Sequence, residues 1–371
     1  MFHPHDDHIR RLLMRVHGVT YDTGFLSAGT TTHEPFDPDI VRREMQIIRE
    51  DLHCDAVRIT GGDADRLEIA ARHAAQAGLE TWYSPFTNGL TQGELMAFII
   101  DSAERAERLR REGARVILLT GSEISLFTSG FLPGDNFQER LGLMAEPARL
   151  RAALPGLHAR VNAFLRRAVV AVRERFGGPI SYASLPLEGV DWGPFDIIAT
   201  DAGYRDATSA PGFREGVRTQ TAQTKPFAVT EFGCTTHRGA TALGARGDSI
   251  VEWDERGRPH LTQTPERDEE EQAAYVRELF EIYDDEGTDA VFVYTFASRH
   301  LPTSSEPARD FDTASFGIVK VLERDRTGRA YPGLPWEPKA AFHAVAEYGQ
   351  ARTATRPQTT DQTQTTEQTR V

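Results

Sequence analysis

Eight short apolar runs, separated by longer segments with helical periodicity, constrain the fold of this chain more than any other feature. Most of the runs are near-continuous stretches of Val, Ile, Ala and Phe, which is typical of strands buried on both faces of a parallel sheet. Eight such strands alternating with helices predict an α/β fold, the (β/α)8 TIM barrel. The predicted strands cover residues 14–22, 54–60, 79–85, 114–120, 179–185, 195–201, 225–231 and 289–296.

The intervening segments carry helix signals. An Asp-Pro opening at residue 37 and acidic residues after residue 265 are typical of helix N-termini, and glycines close several segments. The segment 147–177 is long and contains a Pro-Gly pair that predicts a break. The predicted helices cover residues 37–52, 63–78, 91–113, 147–177, 265–287 and 337–350.

Two connections depart from the regular pattern. Residues 186–194, "PLEGVDWGP", join the fifth and sixth strands and are too few for a crossover helix, so this β5–β6 connection is predicted to be degenerate. One weak helix is expected between the sixth and seventh strands. The segment 234–264 is an insertion after the seventh strand, and its "SIVEWDERGRPHLT" stretch predicts a β-hairpin.

The chain divides into three parts. Residues 1–13 form an N-terminal segment, and residues 14–350 form the barrel domain. Residues 351–371 are rich in Thr and Gln and nearly free of apolar side chains, which predicts a disordered tail.

Charge and composition exclude several function classes. The net charge is −13, and nucleic-acid binding needs clustered Lys and Arg, so no nucleic-acid partner is expected. No apolar run approaches the roughly 20 residues of a membrane span, and residues 1–13 lack the pattern of a signal peptide. We therefore expect a cytoplasmic protein with no membrane partner, whose two cysteines are reduced thiols. The oligomeric state cannot be predicted.

Two of the predicted strands lead directly into a glutamate. Glu123 follows the fourth strand in "LLTGSE", and Glu231 ends the seventh in "AVTEFG". Active sites of TIM barrels lie at the carboxyl ends of the strands, and strands four and seven face each other across the barrel. Two carboxyl groups facing each other over a sugar ring are what glycoside cleavage requires, one as acid and one as nucleophile or base. The alternative for each residue is a structural ion pair at the barrel rim.

These two motifs, together with "AVRIT" at the second strand and the closing "TASFGIVKV" and "WEPKAAFHAVAEY" segments, resemble clan A glycoside hydrolases over residues 14–349. The resemblance implies a cofactor-free retaining enzyme in which Glu231 is the nucleophile and Glu123 the acid/base. It also implies that Arg58 keeps Glu231 ionised, that Glu123 has a raised pKa, and that Tyr204 can donate to Glu231.

The chain departs from that family at one position. The acid/base usually follows an asparagine that binds the sugar 2-hydroxyl, and Ser122 occupies this place here. Contacts to the 2-hydroxyl supply several kcal/mol in such enzymes, and a serine reaches less far. We therefore expect an unusual substrate at that carbon, a different residue in the role, or weak catalysis.

Several aromatic side chains are candidates for sugar stacking. Trp82 and Tyr294 lie near strand ends, as do Tyr83 and Phe296, although alternation directs about half of strand side chains outward. The loop after the fourth strand carries three phenylalanines. It is expected to form a lid, a wall of the substrate site, or packing on the barrel top. These residues are Phe127, Phe131 and Phe137.

Asp22 and three histidines fall on predicted mouth loops, where they could contact substrate or bind a metal, although scattered ligands without tight spacing are usually polar contacts. The histidines are His33, His237 and His300. The "HPHDDH" motif at residues 3–8 precedes the first strand, so it is misplaced for an amidohydrolase metal site.

The sequence thus predicts a retaining O-glycoside hydrolase for a small β-linked glycoside, with no metal and no cofactor. Two alternatives stay open. One is a metal-dependent hydrolase on the same barrel. The other is a catalytically silent barrel that binds a carbohydrate or a protein.

Overall fold

Eight parallel strands close into a barrel in chain order, and each pairs with its sequence neighbours while the last pairs with the first. A computed structural model describes residues 14–27, 30–254 and 258–355. All eight predicted strands are confirmed, and so is the TIM-barrel fold. The strands are β1 (Val16–Asp22), β2 (Ala56–Gly61), β3 (Glu80–Pro85), β4 (Val116–Ser122), β5 (Ile180–Ser184), β6 (Ile198–Thr200), β7 (Phe227–Phe232) and β8 (Ala290–Val293).

Seven helices of more than eight residues surround the barrel in the described part of the chain. Their N-termini follow the sequence signals, since Asp37 caps the first and Thr91 forms a capping box with Glu94. The helices are α1 (Pro38–Glu50), α2 (Ala64–Gln76), α3 (Gln92–Arg111), α4 (Pro147–Arg173), α5 (Phe213–Thr221), α6 (Glu269–Asp285) and α7 (Ala340–Thr355). Short helical segments at Ile124–Phe127 and Phe137–Gly142 lie between β4 and α4.

The predicted break in α4 is wrong, because the helix continues through Pro155. An internal proline removes one backbone donor and costs about 3 kcal/mol. The residues that follow it, Leu157, Val161 and Phe164, are fully buried, and their packing offsets that cost.

The degenerate connection between β5 and β6 is confirmed, since it holds only a single 3-10 turn at Pro186–Glu188. With no crossover helix here, a cavity of about 710 Å³ lies outside β5–β7, next to α5, and its lining includes neither Glu123 nor Glu231. Its apolar lining includes Leu185, Val190, Trp192, Phe213, Val217 and Phe227.

The insertion after β7 contains the predicted hairpin, in which Val251–Trp253 pairs antiparallel with Pro259–Leu261. Two further antiparallel pairs join Leu26–Ser27 to Thr30–Thr31 and Val319–Val321 to Trp336–Pro338. The first of these pairs follows β1 directly and therefore lies at the carboxyl ends of the strands, where the site is expected.

Packed side chains fill the barrel interior, so it is a core and not a pore. Alanines predominate, with Trp82 and Phe292 as the large members of this inner cluster. A second and larger cluster joins the outer faces of the strands to the helices. The last described helix ends at Thr355, so it extends past residue 351, at which the tail was expected to begin. Residues 1–13 and 356–371 lie outside the described part. No helix among the described residues has the length and apolar character needed to span a bilayer.

Candidate active site

β4 and β7 bring the two predicted glutamates to the same end of the barrel. Glu231 is the penultimate residue of β7 and is 6% exposed, whereas Glu123 follows β4 and is half-buried. The backbone of Glu123 is left-handed, with φ 45° and ψ 40°. Side chains other than glycine adopt this conformation rarely, and it is concentrated at functional sites.

Arg58 on β2 forms the floor of the site and is completely buried. Its Nη1 donates to Asp201 Oδ1 at 2.7 Å and to Glu231 Oε1 at 2.8 Å, and its Nη2 donates to Ser122 Oγ at 2.6 Å. The predicted ion pair between Arg58 and Glu231 is therefore present, but it does not by itself keep Glu231 ionised, because burial raises the pKa of that carboxyl to about 8. The guanidinium also donates to the Thr230 carbonyl at 3.1 Å, to Ser84 Oγ at 3.3 Å and to Asp201 Oδ2 at 3.2 Å.

Asp201, at the end of β6, was not singled out by sequence reasoning. It is 2% exposed and competes with Glu231 for the same guanidinium nitrogen. A signal was available, because the predicted sixth strand, "FDIIATD", ends on a carboxylate just as the fourth and seventh runs lead into one.

Tyr204 follows β6, and its hydroxyl donates to Glu231 Oε2 at 3.1 Å, as predicted. Its ring packs edge-on against Phe316, with centroids 5.8 Å apart. The preceding Gly203 lies so close to β7 that a Cβ there would stand 2.4 Å from the Glu231 carbonyl oxygen and 2.2 Å from Val229 Cγ1. The close approach of these two segments sets the position of the tyrosine.

The two glutamates differ in the charges and hydrogen bonds that shift the pKa of their carboxyl groups. Burial raises the pKa of Glu231 to about 8, and the charge of Asp201 adds to this, while Arg58 and Tyr204 oppose it. Burial raises the pKa of Glu123 well above its ordinary value, and the charges of Asp201 and Glu231 raise it further. The hydrogen bonds from Arg58 and Tyr204 thus favour the ionised form of Glu231, whereas burial beside two carboxylates favours the protonated form of Glu123.

The structure also brings Tyr294 and Asp22 to this end of the barrel. Tyr294 is half-buried, burial raises its pKa well above the ordinary value, and the charges of Glu231 and Asp22 act on it in the same direction. Asp22 ends β1, where it accepts from the Gly24 amide at 2.9 Å and from the Thr32 hydroxyl. Burial raises its pKa as well. The peptide bond between Tyr294 and Thr295 is cis.

Two predicted candidates lie differently from expectation. Trp82 is fully buried, its Nε1 donates to Glu80 Oε1 at 2.9 Å, and Glu80 is at the opposite end of β3. The predicted stacking of Trp82 on a sugar does not fit this position, because no face of the indole is exposed. Ser122, at the position where the family's asparagine binds substrate, is only 3% exposed and its hydroxyl accepts from Arg58. A substrate-binding role for Ser122 therefore does not fit, because this hydroxyl is occupied by the guanidinium. The other two aromatic candidates, Tyr83 and Phe296, are also fully buried.

Four half-buried phenylalanines form an aromatic cluster on the loops after β1, β3 and β4. Phe127 and Phe137 stack with centroids 4.7 Å apart, and Phe127 meets Phe25 and Phe86 edge-on at 5.3 and 4.9 Å. Sequence reasoning identified the first pair but missed Phe25 and Phe86. Phe131, in contrast, is buried against Phe164.

The three mouth histidines are held by backbone groups. His33 Nδ1 lies 2.8 Å from the Asp22 carbonyl, and His237 Nε2 lies 3.0 Å from the Gly247 carbonyl. His300 has a hydrogen bond with the Thr32 backbone and also stacks on Trp253, with centroids 6.0 Å apart. Within residues 14–27, 30–254 and 258–355, no three His, Cys, Asp or Glu side chains form a group able to hold a metal ion. The His-x-His motif at residues 3–8 lies outside the described residues.

Solved glycoside hydrolases share this fold. A GH113 β-1,4-mannanase aligns with a TM-score of 0.57 at 14% identity, over 92% of this chain and 100% of its own. A GH113 β-mannanase from Alicyclobacillus acidocaldarius aligns with a TM-score of 0.55 at 17% identity, over 91% and 97%. A β-glucuronidase from Bacteroides uniformis gives 0.53 at 14% identity, over 91% of this chain and 34% of its own. At these identities the likeness shows the fold, and the resemblance to a clan A barrel is confirmed at that level.

No protein-family model and no curated protein sequence matches this chain.

Proposed function

We propose that this protein is a retaining glycoside hydrolase that acts on a small, neutral, β-linked glycoside. The observation that carries the proposal is the pair of glutamates on opposite strands. The pKa of both is raised by burial, but Glu231 accepts from Arg58 and Tyr204, which favour its ionised form, whereas neighbouring carboxylates raise the pKa of Glu123 further. This is the division of roles that two-carboxylate hydrolysis requires. The names of the structural neighbours, a β-1,4-mannanase and a β-glucuronidase, support the β-linkage.

In the first step the Glu231 carboxylate attacks the anomeric carbon while Glu123 gives its proton to the glycosidic oxygen. The bond between the anomeric carbon and that oxygen breaks, the aglycone leaves as an alcohol, and a glycosyl ester of Glu231 forms. In the second step the Glu123 carboxylate takes a proton from water, whose oxygen attacks the same carbon. The ester bond breaks, the sugar leaves, and both carboxyl groups return to their starting states.

The charge of the site supports a neutral sugar over an anionic one. The guanidinium of Arg58 is buried and already bonded to Asp201, Glu231 and Ser122, so it does not offer a free donor to a substrate carboxylate. A uronic acid would add another negative charge beside Glu123 and Glu231. The aromatic cluster of Phe25, Phe86, Phe127 and Phe137 offers apolar rings on which a neutral sugar can stack.

The test is a screen of aryl glycosides followed by a 2-deoxy-2-fluoro sugar that traps the glycosyl ester. We expect mass spectrometry to locate the label on Glu231, and Glu231→Gln to remove both the label and turnover. In Glu123→Ala, we expect azide to restore cleavage of a reactive aryl glycoside and to yield the β-glycosyl azide. Label on another residue would overturn the assignment of roles.

A carbohydrate-binding barrel without hydrolysis is the second candidate, and Asp201 favours it. Because Asp201 shares Arg58 and its charge raises the pKa of Glu231, most of Glu231 is protonated at pH 7 and is a poor nucleophile. Calorimetry that detects glycan binding, with no trapped intermediate at any pH between 6 and 10, would favour this candidate.

A further inference from the structure

Three consecutive backbone amides tie the loop of Glu123 to β5 and the residues after it. The donors are the amides of residues 123–125, so three successive peptide units are bonded at the point where the backbone turns left-handed. The acceptors are, in order, the Ala183 carbonyl at 3.0 Å, the Tyr182 hydroxyl at 2.9 Å and Glu188 Oε1 at 3.0 Å.

Glu188 lies on the 3-10 turn that replaces the missing crossover helix. It is completely buried, and the Tyr182 hydroxyl lies 2.9 Å from both of its carboxylate oxygens. The Leu185 amide donates to its Oε2 at 2.9 Å. The short β5–β6 connection thus places the carboxylate of Glu188 in contact with the loop of Glu123.

Packing alone does not account for a carboxylate at this position. Its donors are the amides of Ser125 and Leu185 and the hydroxyl of Tyr182, and none of them carries a positive charge. Burial raises the pKa of Glu188, whereas these three hydrogen bonds favour its ionised form. An apolar side chain would avoid the cost of burying a carboxyl group but would leave the three donors unpaired.

Building on the proposed function, we infer that Glu188, held by Tyr182, is a positioning residue for Glu123. It keeps the acid/base carboxyl turned into the barrel mouth and places a second carboxylate behind it. The amide contacts hold the left-handed backbone of Glu123, which is otherwise unfavourable for a glutamate. Glu188 does not touch the substrate and acts through Glu123.

The second carboxylate also affects proton retention. After burial and the charges of Asp201 and Glu231, the charge of Glu188 further raises the pKa of Glu123, and Arg58 opposes it. The hydroxyls of Tyr182, Tyr204 and Tyr294 also lie within electrostatic range of Glu123.

Glu188→Gln tests the inference, since it preserves the size of the side chain but removes its charge and one acceptor oxygen. Tyr182→Phe is the second variant, because it keeps the carboxylate and removes the hydroxyl that joins it to Ile124. The matched control is Glu107→Gln on α3, since Glu107 also accepts a backbone amide, from Gly177 at 3.1 Å, and pairs with arginines away from the site.

For an aryl glycoside with a poor leaving group we expect Glu188→Gln to lower kcat/KM roughly tenfold to a hundredfold, part of the 10²–10⁴-fold that general acid–base catalysis supplies. A dinitrophenyl glycoside needs little protonation, so its cleavage should fall far less. Because the charge of Glu188 raises the pKa of Glu123, its removal should move the alkaline limb of the pH profile to lower pH.

In a Glu123→Gln background, Glu188→Gln should cause no further loss, because the group through which it acts is gone. Equal losses on both classes of glycoside with an unmoved alkaline limb, or additive losses in the double variant, would overturn the inference.

A titration separates this inference from the proposed function. Glutamate labelled with ¹³C at the δ carbon reports the ionisation of Glu123 by NMR, with Glu123→Gln as the assignment. If the wild-type protein cleaves no aryl glycoside, the proposed function fails, yet a lower titration midpoint in Glu188→Gln still supports positioning. An unchanged midpoint in both Glu188→Gln and Tyr182→Phe overturns positioning whatever the activity. If Glu188→Gln fails to fold, Tyr182→Phe decides. The Tyr182 hydroxyl favours the ionised form of Glu188, so its loss should lower the titration midpoint of Glu123, and an unchanged midpoint overturns the inference.

Discussion

Removing the hydroxyl of Tyr204 should change the ionisation of Glu231 with little change in shape. Tyr204→Phe keeps the ring against Phe316 and leaves Arg58 on Glu231 Oε1 at 2.8 Å. The lost bond favours the ionised carboxylate, so the pKa of Glu231 should rise above about 8.

The length of the hydrogen bond between Tyr204 and Glu231 indicates how far the pKa of Glu231 should rise. Hydrogen bonds to charged groups contribute about 1.5–3 kcal/mol, and O–H···O⁻ bonds are usually about 2.5–2.7 Å long. The 3.1 Å between Tyr204 and Glu231 indicates the lower end of that range. A loss of about 1.5 kcal/mol is about one pKa unit, so the ionised fraction at pH 7 should fall about tenfold.

The assay is the pH dependence of kcat/KM for an aryl glycoside. We expect the acid limb to move up by about one unit and activity to recover as the pH rises through the new pKa. The matched control is Tyr331→Phe, since Tyr331 also donates to a carboxylate, Asp51 at 2.7 Å, but lies on the outside of the barrel. An unmoved acid limb, or the same loss at every pH, would refute the reasoning.

Three further predictions concern the same site. The pKa of Glu231 is about 8 in the folded protein, against an ordinary 4.5. Between these two pH values the folded state therefore binds one more proton than the unfolded state. The free energy of unfolding should fall by up to several kcal/mol as the pH rises through this range. Glu231→Gln cannot ionise, so its melting temperature should exceed that of the wild type increasingly from pH 5 to pH 9; a constant difference would contradict this. Gly203→Ala should lower both the melting temperature and the activity, because its Cβ would clash with β7. The control is Gly216→Ala on α5, whose Cβ meets no atom within 4 Å. This variant should raise the free energy of unfolding by about 0.5–1 kcal/mol in denaturant titrations. A β-glucuronide should be cleaved at least roughly tenfold more slowly than the neutral glycoside of the same aglycone, since its carboxylate would lie near Glu123 and Glu231. Equal rates would show that the charges of these glutamates do not select the substrate.

Local patterns along the chain were sufficient to predict the barrel. Eight runs with both faces apolar, separated by capped helices, leave few other arrangements, and the strand bounds agree to within a few residues. The same pattern placed Glu123 and Glu231 at one end, because parallel strands all finish on the same side. It could not predict the direction of Trp82, since alternation tells inside from outside but not towards which end of the barrel an inward side chain bends.

What the residue order could not reveal are contacts between strands distant in the chain. Arg58 meets Asp201 across 143 positions, and Glu188 on the short β5–β6 connection meets the Glu123 loop across 63. The pairing of Arg58 with Glu231, across 173 positions, was expected only from the resemblance to a known family. Such contacts depend on the register of a closed barrel and on side-chain conformations, which form together when the ring closes and leave no local periodicity. The sequence therefore predicts the fold and the two glutamates, whereas only the folded barrel shows that Asp201 and Glu231 share one guanidinium and that Glu188 bonds the Glu123 loop.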